Sequence, residues 1–218
     1  MYRLHGFSQS GNTYKVALAL QALGLDWQPV HLSFDDFLAG ATRAADWREG
    51  MSVMGEVPLL DTPDGRRLSQ SGAILLELAR RHGALGGRDA DEAYEVQRWL
   101  FFDNHKFTSY LATQRFLKSF APTTPEPAVT HWLAGRVQAA FSVLEQHLQG
   151  RDWVVGYGPT LADCSLAGYV YFPAEETGVD IDAAWPAIAA WRRRLAATLP
   201  GWREPYAMLP GAPRPPLR

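Results

Sequence analysis

The hydrophobic positions follow two regimes that change near residue 85. Before it, short apolar runs alternate with helical periodicity. Tyr2–Phe7 reads as a strand. Asn12–Leu23 places Val16, Ala19, Leu20 and Leu23 on one face and stops at Gly24, the signature of an amphipathic helix. Trp27–Leu32 reads as a second strand, and Pro29 within it predicts a sheet edge, where a missing N–H is tolerated. Asp35–Glu49 reads as a helix. Val57–Asp61 and Arg66–Leu68 flank the turn Thr62-Pro63-Asp64-Gly65 and form a hairpin. Ser71–His82 is a third helix, with Ile74, Leu75 and Leu78 inward. The order βαβ followed by ββα predicts a small mixed sheet with flanking helices.

Beyond Asp89 the strand signals fade. Asp91–Phe120 reads as one long, aromatic-rich helix, and Ala128–Leu148 repeats Leu133, Val137, Ala140, Phe141, Leu144 and Leu148 at helical spacing. Thr160–Phe172 and Trp185–Leu199 read as two more. The glycine-rich stretch Gly83–Arg88 is a natural linker. The chain is therefore expected to be α/β plus all-α: an α/β domain at 1–82, a linker at 83–90, an all-helical domain at 91–209 and a proline-rich tail at 210–218.

Composition narrows the function classes. With 218 residues there is enough chain for two modest cores. Lysine plus arginine (21) nearly balances aspartate plus glutamate (23), so no electrostatic footprint points to nucleic acid. No apolar run is long enough for a membrane span. The N-terminus opens as a strand and not as a basic segment with an apolar core, and Cys164 is the lone cysteine. Both lead us to expect a cytoplasmic protein without disulfides and without a metal site.

The chemistry concentrates in two stretches, Ser8-Gln9-Ser10-Gly11-Asn12 at a strand-to-helix turn and Glu56-Val57-Pro58 through Gln70-Ser71. They offer a hydroxyl at a helix start, a proline-fixed edge and a polar pair opening another helix, the parts needed to hold a peptide-like thiol and ionise it. With Glu56-Val57-Pro58-Leu59-Leu60, Gln70-Ser71-Gly72-Ala73-Ile74-Leu75 and Gly158-Pro159-Thr160-Leu161-Ala162-Asp163 in this order, nearly the whole chain resembles a cytosolic glutathione S-transferase. The resemblance implies a thioredoxin-like N-terminal domain, a helical C-terminal domain, glutathione as co-substrate, an apolar electrophile as second substrate and a homodimer. It further implies a glutathione transferase of the serine type, since Leu4-His5-Gly6-Phe7 lacks a catalytic tyrosine.

Residue by residue, the resemblance places Ser10 on the glutathione sulfur, where a hydroxyl donor and a helix N-terminus favour thiolate. The plain alternative is that Ser10 only caps the helix, and Ser8 is the rival hydroxyl. Asn12 is a second donor to sulfur or a further cap. A cis Val57–Pro58 bond would turn the Val57 N–H and C=O outward, to pair with the ligand as a strand does. Gln70 and Ser71 hold the γ-glutamyl end. Gln70 is neutral where many bacterial members have an acid, so Asp103 is named as a counter-charge for the ligand ammonium across a dimer interface. Arg43 is the one cation offered to the glycine carboxylate by Phe34–Ala45. Phe107 and Tyr110 are the aromatics named for an electrophile pocket. Thr160 and Asp163 form a capping box, and Cys164 is a small buried hydrophobe. Two alternatives remain open: glutathione-dependent disulfide or peroxide reduction on the same fold, and a non-catalytic binding protein.

Overall fold

The structure, a computed structural model, describes residues 1–211. The chain divides into two compact units. The first holds Met1–Ala84 and the segment that starts at Leu199; the second holds Leu85–Thr198.

The first unit is built on a four-stranded sheet of order β2-β1-β3-β4. β1 (Tyr2–Gly6) pairs in parallel with β2 (Trp27–His31) and antiparallel with β3 (Leu59–Asp61), which pairs antiparallel with β4 (Arg67–Ser69). Pro29 does lie on an edge strand. α1 (Gly11–Ala22) connects β1 to β2, and its residues from Thr13 to Leu20 are all buried, so it is a core helix and not a surface one. It lies so close to the end of β1 that a Cβ on Gly6 would sit 2.4 Å from the Thr13 hydroxyl oxygen. α4 (Ser71–His82) buries Ile74, Leu75 and Leu78 and ends at Gly83 in the left-handed region, with Arg80, Arg81 and His82 in its last turn.

One expected helix is broken here. Asp35–Glu49 resolves into α2 (Phe34–Leu38), a 3₁₀ turn (Ala41–Arg43) and α3 (Ala45–Gly50). Gly40, at φ 93°, ends the first piece. Neither short helix buries a residue that would hold them together as one.

The second unit is helical throughout. α5 (Ala90–Phe102) and α6 (Thr108–Ser119) are joined by a π turn (Asp103–Phe107) where one continuous helix was expected. α7 (Pro127–Leu148), α8 (Leu161–Leu166), α9 (Ala174–Thr177), α10 (Ile181–Ala184) and α11 (Pro186–Thr198) follow. Thr160–Phe172 is thus helical only as far as Leu166. Phe141 is wholly buried, stacked on Phe107 at 4.7 Å and tilted against Trp185 at 5.3 Å.

The segment from Leu199 belongs with the first unit, not with the helical domain that was expected to run to residue 209. The Tyr14 hydroxyl donates to the Arg203 carbonyl (2.8 Å), the Gln21 amide to the Pro200 carbonyl (3.3 Å), and α12 (Pro205–Met208) is followed by buried Leu209. Of the proline-rich tail, only Pro210 and Gly211 are described; 212–218 lie outside the described residues. No described helix is long and apolar enough to cross a membrane.

Candidate functional site

Three chain segments of the first unit meet at one end of its sheet: the turn after β1, the residues leading into β3 and the start of α4. Ser10 is the N-cap of α1. Its Oγ accepts the Thr13 N–H at 3.1 Å, while its own N–H donates to the Phe7 carbonyl at 3.1 Å. Among the described residues nothing accepts the Ser10 hydroxyl proton. The cap uses a lone pair of the Ser10 hydroxyl and leaves its O–H free to donate, so capping does not compete with donation to a further acceptor.

Ser8 is committed elsewhere. Its N–H donates to the Pro210 carbonyl (3.1 Å) and its hydroxyl to the Gly211 carbonyl (2.9 Å). Ser8 is therefore an anchor for the C-terminal segment, which leaves Ser10 as the hydroxyl with a proton to give.

Asn12, in the first turn of α1, accepts the Ser71 hydroxyl at 3.3 Å and so ties the start of α1 to the start of α4. Val57 and Pro58 precede β3 outside its paired register, and the bond between them is cis. Gln70 holds a left-handed φ of 65° and puts no side-chain cap on α4. Its amide instead donates to the Glu56 carboxylate at 2.7 Å and touches the Met54 sulfur. Glu56 lies fourteen positions before Gln70 in the chain, and the hairpin brings the two together.

Arg43 lies exposed on the 3₁₀ turn, its guanidinium folded over Gly40. Arg48 on α3 is a second exposed cation that the sequence reading passed over; its Nε lies 3.1 Å from where a Gly55 Cβ would stand, next to Glu56. Neither arginine has an ion pair among the described residues.

Two expectations from the second unit, Asp103 and Phe107, need correcting. Asp103 is fully buried and accepts the hydroxyls of Thr108 (2.6 Å) and Ser165 (2.5 Å), so it has no reach toward a ligand of another copy. The π turn carries this carboxylate inward. Phe107 is buried against Phe141 and belongs to the core. Tyr110 is half-buried, its ring edge-on to Trp132 at 6.1 Å. Cys164 is fully buried, and burial, then the neighbouring Asp163 charge, push its thiol pKa far up, which removes it as a nucleophile.

A mixed four-stranded sheet in the first unit and a helical second unit define the class as a two-domain protein with a thioredoxin-like first domain. Residues 4–87 match the glutathione S-transferase N-terminal domain and residues 106–198 the glutathione S-transferase C-terminal domain. The chain is 30% identical over 206 residues to the glutathione S-transferase-like protein LUC7 of a Fusarium species, covering 90% of this chain and 89% of that one. It is 30% identical over 214 residues to the maleylacetoacetate isomerase of Pseudomonas aeruginosa, covering 94% and 95%. The crystal structure of a glutathione S-transferase from Xanthobacter autotrophicus superposes with a TM-score of 0.80 at 38% identity, covering 93% and 96%. The chain belongs to the glutathione S-transferase family, and transfer of glutathione is the activity that membership assigns to it.

Proposed function

We propose that the protein conjugates glutathione to an apolar electrophile, with Ser10 as the group that holds the thiolate. The observation that carries this reading is the divided role of the Ser10 hydroxyl. Its oxygen is fixed by the Thr13 N–H, which orients the O–H, and the proton has no acceptor among the described residues. A cysteinyl sulfur placed there receives a hydrogen bond and the positive end of α1. Ser10 is not the base: the thiol proton leaves to solvent, the thiolate then forms the new S–C bond, and the electrophile's leaving group departs with its electron pair. Holding both reactants in place lowers the barrier further.

The remaining parts of the site take the rest of the tripeptide. Val57 pairs its main chain with the cysteinyl unit. The start of α4, with Ser71 and no side-chain cap, receives the γ-glutamyl carboxylate; the 3.3 Å bond from Ser71 to Asn12 is long and the hydroxyl rotates readily to the ligand. Asn12 adds a second donor near sulfur. Arg43 and Arg48 are the cations for the glycine carboxylate. Of the two aromatics named for the electrophile, Tyr110 alone keeps exposed surface. A cytoplasmic homodimer fits the lone, buried cysteine and the exposed Tyr94 and Phe101, seven residues apart on α5.

The test is turnover of glutathione with a chlorodinitrobenzene-type aryl halide, set against reduction of a small disulfide. Conjugation by the wild type and a loss on the order of 10²-fold in kcat for Ser10→Ala, as for removal of one oxyanion donor, support the reading. Disulfide reduction without conjugation overturns it.

A further inference from the structure

We infer that Ser8 is a positioning residue for the thiolate site, and that it acts through segment 199–211, whose end at Pro210-Gly211 clamps the turn carrying Ser10. This rests on the reading of Ser10 as the thiolate donor and goes further. It makes a stretch of chain 203 positions away from Ser8 a determinant of that donor.

Segment 199–211 follows α1 back to its start. The Pro200 carbonyl accepts the Gln21 amide near the end of α1 (3.3 Å), and the Arg203 carbonyl accepts the Tyr14 hydroxyl near its beginning (2.8 Å). Ahead of the helix, the next two anchors fall on one residue. Ser8 is fully buried, and both of its donors go to the segment: the N–H to the Pro210 carbonyl (3.1 Å) and the hydroxyl to the Gly211 carbonyl (2.9 Å). A second acceptor, the Gln9 Oε1, lies 3.3 Å from the same hydroxyl, so a departing segment would let Ser8 turn toward its neighbour. Gly211 comes so close that a Cβ on it would stand 3.0 Å from the Ser8 Oγ, and its φ of 114° suits glycine alone.

The clamped residue is the one that aims Ser10. The Ser10 N–H closes the turn on the Phe7 carbonyl, which leaves Ser8 and Gln9 as its two central residues. Buried donors require acceptors, so the turn keeps this shape while the segment is seated. Fixing Ser8 fixes the direction in which residue 10 leaves the turn, and with it the Ser10 Oγ. A hydrogen bond weakens steeply with misalignment, and a preorganised donor has to be held within about 0.5 Å. Tyr14 and Gln21 attach the same segment beyond Ser10 on α1, so the clamp at Ser8 is separable from the segment's general attachment.

Ser8→Ala removes the hydroxyl bond. Gly211→Ala pushes the segment off Ser8 and leaves the turn's own sequence intact, so it carries the test where Ser8→Ala does not fold. Tyr14→Phe loosens the same segment at Arg203. In each full-length protein the pKa of bound glutathione is read from thiolate absorbance at saturating ligand, and kcat for conjugation is followed across pH. In Ser8→Ala and Gly211→Ala the bound-thiol pKa should rise by roughly half to one unit. Below that pKa kcat should fall by up to about ten-fold, and above it return toward the wild-type value. KM for glutathione should not change, because Ser8 touches none of the groups assigned to the ligand's ends. In Tyr14→Phe the melting point should fall with the bound-thiol pKa unmoved. A wild-type bound-thiol pKa in both Ser8→Ala and Gly211→Ala overturns the inference, and so does a kcat lowered by one factor at every pH, the mark of a merely structural role. A wild type that leaves the glutathione pKa at its free value overturns the underlying reading instead, so the two failures are told apart.

Discussion

The starts of α4 and α8 use similar residues to opposite ends. At α8, Thr160 and Asp163 form a complete capping box. The Asp163 carboxylate takes four donors: the Thr160 N–H (2.8 Å), the Thr160 hydroxyl (2.9 Å), the Val154 N–H (3.1 Å) and the Trp191 indole (2.9 Å). All of it is buried, and burial raises the Asp163 pKa even against those hydrogen bonds. At α4, Ser71 has one long bond, Gln70 provides no cap and the nearby carboxylate, Glu56, is exposed. A hydroxyl and an acid at a helix start therefore do not define a function. Saturation does: where every acceptor is used inside the protein the helix start is a folding element, and where acceptors and donors are left over it is equipped for a ligand.

The sharpest way to break this comparison is Asp163→Ala. It strips four buried donors of their acceptor, and we expect a loss of about 3–5 kcal/mol, read from denaturant unfolding. Ser71→Ala is the counterpart. Its stability cost should stay near ~0.5–1 kcal/mol, while KM for glutathione rises roughly ten-fold in steady-state kinetics. Equal stability losses at the two helix starts would erase the distinction.

Acid titration separates the two units next. In the second unit, burial lowers the pKa of His147 from its ordinary 6.5. A histidine with a depressed folded pKa contributes stability above about 6.5 that is lost as the pH falls below it. In the first unit, hydrogen bonds from Arg80 and then Arg81 hold the Glu77 carboxylate at about 2, below its ordinary 4.5. Its contribution is present above 4.5 and lost as the pH falls toward 2. Stability of the second unit should therefore decline first on acidification. His147→Gln removes the slope below pH 6.5, and Glu77→Gln removes the one below pH 4.5, both followed by thermal melts across pH.

The smallest effect is expected at Thr13. Among the described residues its buried hydroxyl oxygen has no hydrogen-bond partner, and it lies against Gly6. Thr13→Val keeps the shape and removes the unpaired group, so the melting point should hold or rise by a few degrees.

Much of the first unit was legible because local signals agree with the fold. α4 runs from Ser71 to His82 as its periodicity implied, because a glycine follows it directly. Pro29 placed β2 on an edge by the same logic. What stayed illegible depended on distance through space. Nothing local joins Glu56 to Gln70. Asp103 looked like a surface acid on a helix because the π turn that buries it has no sequence signature. Phe107 looked like pocket lining because a core aromatic and a pocket aromatic are the same residue. Ser10 was legible as a hydroxyl at a helix start, but spacing cannot show that a cap consumes a lone pair and spares the proton.

That spared proton is best tested on the bound thiol itself. Glutathione is titrated with base on wild type and Ser10→Ala, and thiolate is followed by its near-ultraviolet absorbance at saturating ligand, with unfolding checked in both. The expected result is a bound-thiol pKa below that of free glutathione in the wild type, moved back up by one to two units in Ser10→Ala, about 1.4 kcal/mol for each unit. Equal bound-thiol pKa values in the two proteins would contradict the role of Ser10 and leave it a cap.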